Sequence, residues 1–163
     1  MARDIDTLRD QLLRELGSTS ERADAHDLDW SSELKDFTSL SDVEFSKIAL
    51  DLSAQFAILS DWTSARDCIR RYRKLDPTCE EALIFEMRCL YELESFTEVL
   101  ALGQTPLSEK RHLLSVNYLM AICFEALEMF PQARNRYESV IRQDANFLDA
   151  SLRLSKLQGF GGR

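Results

Sequence analysis

Residues 114–147 read LSVNYLMAICFEALEMFPQARNRYESVIRQDANF, and the spacing of their large, small and turn-forming side chains decides the fold. Two helices meet here. Ala121 and Ala133 are small where helices must approach closely, Phe124, Tyr137 and Val140 are large where a neighbour's groove must be filled, and Pro131 stands just after the turn. One such unit cannot bury its own apolar face, so the pattern must recur at its own period if the reading is right. Two steps back, residues 46–79, SKIALDLSAQFAILSDWTSARDCIRRYRKLDPTC, place Leu52, Ser53, Phe56, Ala65, Ile69 and Pro77 at the corresponding positions. Residues 80–113, between them, keep the length but fit poorly. Met87 and Leu90 suit a first helix, whereas Val99, Gly103 and Pro106 sit where a second helix should pack. Glycine favours a left-handed stop and proline cannot continue the ladder, so a helix over 95–102 ends early and 103–107 is a loop.

The pattern resembles the tetratricopeptide repeat, whose 34-residue unit has small residues at its eighth and twentieth positions and aromatics at its eleventh and twenty-fourth. Tyr72 departs from it, standing where a small residue is usual. Leu75, Asp76 and Pro77 match the family's closing signature, and Asp144, Ala145 and Asn146 take that place in the later unit. The resemblance implies an all-α, right-handed helical solenoid with an N-terminal helix and a C-terminal capping helix. Its domain spans 42–158, with repeats at 46–79, 80–113 (degenerate) and 114–147. It also implies a concave groove lined by the first helix of each repeat, through Lys47, Leu50, Ala54, Ala57 and Ile58, then Glu81, Ile84, Arg88, Tyr91 and Glu92, then Ser115, Tyr118, Ile122, Glu125 and Ala126. Lys47, Leu50, Ala54, Ile84, Arg88, Tyr91, Tyr118 and Ile122 are the expected partner-binding residues. Together they make an apolar trough with aromatic and arginine anchors, suited to a peptide or helical segment. Repeats that clamp the acidic tails of heat-shock chaperones carry a lysine and an asparagine where this chain has Leu50 and Ala54, so that subtype is not expected.

The 163 residues, 45% apolar and 29% charged, suit one globular domain. No apolar run is long enough for a membrane span and the first residues lack the basic start of a signal peptide, so a cytoplasmic location is the default expectation. Cys68, Cys79, Cys89 and Cys123 are too far apart for a metal knuckle and read as reduced, mostly buried thiols. The net charge of −8 is uneven, since residues 1–45 hold 12 acidic and 5 basic side chains. That balance disfavours nucleic acid and anionic membrane as partners.

Ile5, Leu8, Leu12 and Leu16 form one stripe of a first helix over 4–16, which either packs on the repeats or offers a homodimer seam. Residues 18–29 are polar and acidic and read as a linker. Trp30, Leu34, Phe37 and Leu40 then return at helical steps, either as permanent packing or as an intramolecular segment able to occupy a groove. Ser41 and Glu44 form a capping box that starts the repeat domain. Helices are predicted at 42–59, 62–75, 79–93, 95–102, 108–128 and 131–143. A cap follows over 147–158, with Phe147, Leu148, Leu152, Leu154 and Leu157 on one face and a loose tail from Gly159 to Arg163.

Catalysis needs convergent polar groups, and His26 and His112 have no such company. Glu80, Glu81 and Glu86 could be imagined as metal ligands, but acidic residues at a helix start serve its dipole. Arg66, Arg70, Arg73, Arg71 and Lys74 form a basic stripe, read as a solvated face or a dock for an acidic protein segment. The expectation is a non-catalytic adaptor or scaffold without cofactor or metal. The alternatives are a secretion-type chaperone for an apolar client, on a loose likeness of size and layout to three-repeat bacterial secretion chaperones, and a self-assembling structural protein.

Overall fold

The computed structural model describes residues 40–159. Among them are seven helices and no strand: α1 (Asp42–Ile58), α2 (Trp62–Leu75), α3 (Glu80–Glu92), α4 (Phe96–Leu102), α5 (Lys110–Ala126), α6 (Phe130–Gln143) and α7 (Ala150–Gly159). The helix expected at 4–16, the linker at 18–29, Trp30, Leu34, Phe37 and the tail beyond 159 lie outside the described residues. The chain divides into two compact units, with the division in sequence between Cys89 and Leu90.

In the first unit the capping box forms as the residue types require. The Ser41 hydroxyl accepts from the Glu44 amide while the Glu44 carboxylate accepts from the Ser41 amide at 3.1 Å. The serine contacts hold the Glu44 carboxyl below its ordinary value. α1 packs on α2, whose start is capped by Asp61 accepting from the Ser64 amide at 3.1 Å. Phe45, Ala49, Leu52, Phe56, Ala65, Cys68, Ile69, Ala82, Phe85 and Cys89 make the core, with Leu40, Leu50, Trp62, Tyr72 and Cys79 packed against it. Ser53 enters this core fully buried because its hydroxyl donates back to the Ala49 carbonyl at 2.7 Å.

In the second unit α4 packs on α5, α5 on α6 and α6 on α7. Ala121, Ala133, Tyr137 and Val140, the signature residues of the quoted stretch, are all fully buried. Two expectations are corrected here. Helix α4 ends early, but Gly103 is not a left-handed stop: its φ is −64°, an ordinary right-handed value. A β-carbon there would come within 2.6 Å of Sδ and 2.8 Å of Cγ of the buried Met120, so the residue is small to admit a neighbour. The cap helix begins at Ala150 and not at 147, because Leu148 takes a left-handed φ of 49° that no helix accommodates. Phe147 therefore meets Tyr118 edge-on from a turn, at 5.8 Å between centroids. Leu157 and Ala150 are buried while Leu152 is half exposed.

The links within the helix pairs α1–α2, α3–α4 and α5–α6 share one geometry. Ser60, Glu94 and Glu128 have φ of 60°, 57° and 59°, at intervals of the repeat length. After each of them, a residue donates to a carbonyl five back: Asp61 to Phe56, Ser95 to Leu90 and Met129 to Phe124, at 2.8–2.9 Å. These are Schellman-type closures that satisfy the last carbonyls of the first helix in each pair. The degenerate unit keeps the closure its neighbours have. A second device recurs two periods apart, where the Asp76 and Asp144 carboxylates accept from the amides of Thr78 and Asn146 at 3.1 and 2.9 Å.

Candidate functional site

The expected groove residues differ in how much surface they offer. In the first unit Lys47 is exposed and Leu50 and Ala54 are half-buried on α1, whereas Ile84 and Arg88 on α3 are buried. Leu50, Ala54 and Ile58 follow at intervals of four along one row of α1, and Ile58 is 52% exposed. In the second unit Tyr91 is half-buried, its ring 5.7 Å from that of Phe96. Tyr118 and Ile122 on α5 are buried.

Tyr118 belongs to a network that sequence reading missed. Its hydroxyl donates to Asp149, and the Tyr137 hydroxyl donates to Glu125 at 2.7 Å. Arg153 on α7 joins the two carboxylates, with Nε 2.7 Å from Asp149 and Nη1 3.2 Å from Glu125. The two rings meet edge-on at 6.1 Å. Burial first, then the carboxylate each hydroxyl faces, pushes both phenols far above their ordinary range. This network ties α5, α6 and α7 together and satisfies polar groups that would otherwise be costly to bury. The legible trace was the pair of tyrosines among apolar neighbours. Their acceptors could not be read because Asp149 lies 31 residues from Tyr118.

The arginine stripe of α2 is resolved into separate pairings. Arg66 reaches Asp67 at 2.7 Å. Arg71 donates to the Leu40 carbonyl at 2.6 Å and to Asp42 at 3.0 Å, its guanidinium 4.1 Å from the Phe45 ring centroid. Arg70 and Arg73 both bind Glu86 of α3: Arg70 Nε stands 2.5 Å from Oε1, and Arg73 Nη1 donates to Oε2. Glu86 is thus engaged with arginines. Among the described residues no group of three or more His, Cys, Asp or Glu is placed to hold a metal ion. The sequence signal for Glu86 was a charge inside the apolar run ALIFEMRCLY at 82–91, where a buried carboxylate must find a cation.

The cysteines are free thiols: Cys68, Cys89 and Cys123 are buried and Cys79 is half-buried. Burial pushes Cys68 up to about 11 and Cys123 up to about 12, and it raises Cys79 as well.

Helix pairs closed by the same reversal at the repeat interval, with small and large residues buried at matching steps, define a tetratricopeptide-type helical repeat fold. An NMR structure of the first TPR domain of the human RPAP3 protein is similar to this chain, with a TM-score of 0.63 and 16% sequence identity over 71% of this chain and 91% of that one. No protein-family profile matches the sequence, and no curated protein matches it. No helix among the described residues is long and apolar enough to cross a membrane.

Proposed function

We propose that the chain is a non-catalytic protein–protein interaction adaptor that takes a peptide or helical segment of a partner on the first-helix faces of its repeats. Repeat folds of this type expose extended surfaces built from successive helices, which suits recognition of another chain better than enclosure of a small molecule. The observation that carries the reading is the row Leu50, Ala54 and Ile58 on α1, which is apolar, incompletely buried and flanked by the exposed Lys47. Tyr91 is the corresponding half-exposed anchor in the second unit. Ile84, Arg88, Tyr118 and Ile122 contribute as packed parts of α3 and α5, since little of any of them reaches solvent. Specificity then comes from a few accessible apolar contacts, with the buried residues fixing the backbone that presents them.

The test is to identify a partner by affinity capture and mass spectrometry and to titrate its purified segment against wild type, Ala54→Glu, Ile58→Glu and Tyr91→Ala. Removing an anchor weakens binding by about 2 kcal/mol, roughly thirtyfold. Variants with unchanged far-ultraviolet dichroism and unchanged affinity would show that the partner uses another face.

A further inference from the structure

We propose that the chain's own segment 30–40 docks along the apolar row of α1, and this rests on the reading above, since it fills part of the face assigned there to a partner. Val43, Leu50, Ala54 and Ile58 follow one another along that row at helical steps. They run from 68% exposed at Val43, through half-buried Leu50 and Ala54, to 52% exposed at Ile58. The occupant follows from where the chain enters the described helices. Leu40 packs against the core of the first unit, and its carbonyl accepts from Arg71 of α2 at 2.6 Å. Ser41 alone then separates Leu40 from the first residue of α1, and the Ser41–Glu44 box fixes that helix start.

Leu40 closes the stripe that Trp30, Leu34 and Phe37, outside the described residues, begin at steps of four, three and three. As a helix the stripe is about 15 Å long, and the row from Val43 to Ala54 is about 16 Å, at about 1.5 Å per residue. So short a link makes the two helices antiparallel neighbours. Leu40 then lies at the start of the row, Trp30 lies near Ala54, and Ile58 stays beyond the end of the segment. Burying a tryptophan and a phenylalanine against an apolar row removes their large rings from water, which drives the contact. The tether gives the segment an effective concentration of about millimolar, so a partner takes the row only in the fraction of molecules whose segment is released.

Trp30 emission, taken in the full chain as the difference between each protein and its Trp30→Phe counterpart, tests the docking. No partner is present, so a failed docking is distinguishable from a failed partner assignment. In wild type the emission is expected to the blue of free tryptophan and resistant to acrylamide. Ala54→Glu sets a carboxylate against the docked segment and returns Trp30 to the emission and quenching of free tryptophan. Ser155→Glu, at an exposed position of α7, leaves both unchanged. Ala54→Gln, neutral and favourable to helix, makes the same test should the glutamate variant lose far-ultraviolet dichroism. Wild-type Trp30 that emits as free tryptophan overturns the proposal. So does shielding that survives both Ala54 variants with the helices intact, since the segment then packs on another face. Shielding that disappears on dilution as the molecular mass halves overturns it equally, since a second copy then fills the row.

Discussion

Ser60, Glu94 and Glu128 sit in left-handed backbone that a β-carbon disfavours by about 1–2 kcal/mol. Each is exposed, so replacement by glycine removes strain without removing packing. Glu94→Gly and Glu128→Gly are each expected to stabilise the protein by up to about 1 kcal/mol, a rise of about 2–4 °C in melting temperature at this chain length. Differential scanning calorimetry checks it, and a lower melting temperature in both would mean that the glutamates do something the geometry does not show. The cysteines make a second prediction. Only a thiolate is nucleophilic, and Cys68 and Cys123 are buried with their protons held up to about 11 and about 12. At pH 8 iodoacetamide followed by peptide mapping should modify half-buried Cys79 first, and Cys68 and Cys123 only at the rate of unfolding.

At the scale of helices, the close approach of Gly103 to Met120 gives α4 its place on α5. Gly103→Ala is expected to destabilise by about 1–3 kcal/mol, as overpacking does. Its effect should be less than additive with Met120→Ala, which frees the space, so urea unfolding of both single variants and the double variant measures the coupling. Ala121→Trp and Ala133→Trp, fully buried in α5 and α6, should cost at least as much by the same mechanism. Unchanged urea midpoints would refute the packing register. Most element limits were legible because their signals are local: the Ser41–Glu44 box, the Asp61 cap and the periodic apolar faces. Gly103 was misread because glycine answers two needs, a positive φ or a missing β-carbon, and sequence does not say which. The late start of α7 was missed because a leucine is a poor advertisement for left-handed backbone. Of the candidate surface, Leu50, Ala54 and Ile58 were named only through the family resemblance, since spacing alone does not tell an open face of α1 from a packed one. The clustering of Arg70, Arg73 and Glu86 was not legible, since it joins residues on two helices.

For the protein as a whole, the buried phenols and thiols link stability to alkaline pH. A group whose proton is held more tightly when folded contributes its stability in full below its unfolded value, ordinarily 9.0 for a thiol and 10.0 for a phenol. That contribution is lost as pH rises, because the unfolded chain then releases protons the folded chain retains. The melting temperature should therefore decline from about pH 9 upward. In a titration followed at 295 nm, two of the four tyrosines, Tyr118 and Tyr137, should ionise only with unfolding. Four phenols titrating reversibly near 10 would contradict the network with Asp149 and Glu125. The reversals at Ser60, Glu94 and Glu128 bear on how much sequence change the fold tolerates. Their closing bonds run between main-chain groups alone, so the chain direction is reversed by atoms that every residue except proline possesses. A serine or a glutamate can then stand at the corner in place of the usual glycine, at a modest energetic penalty. A backbone path held by such bonds accepts many different side chains at its corners, so a likeness in shape here accompanies little likeness in spelling.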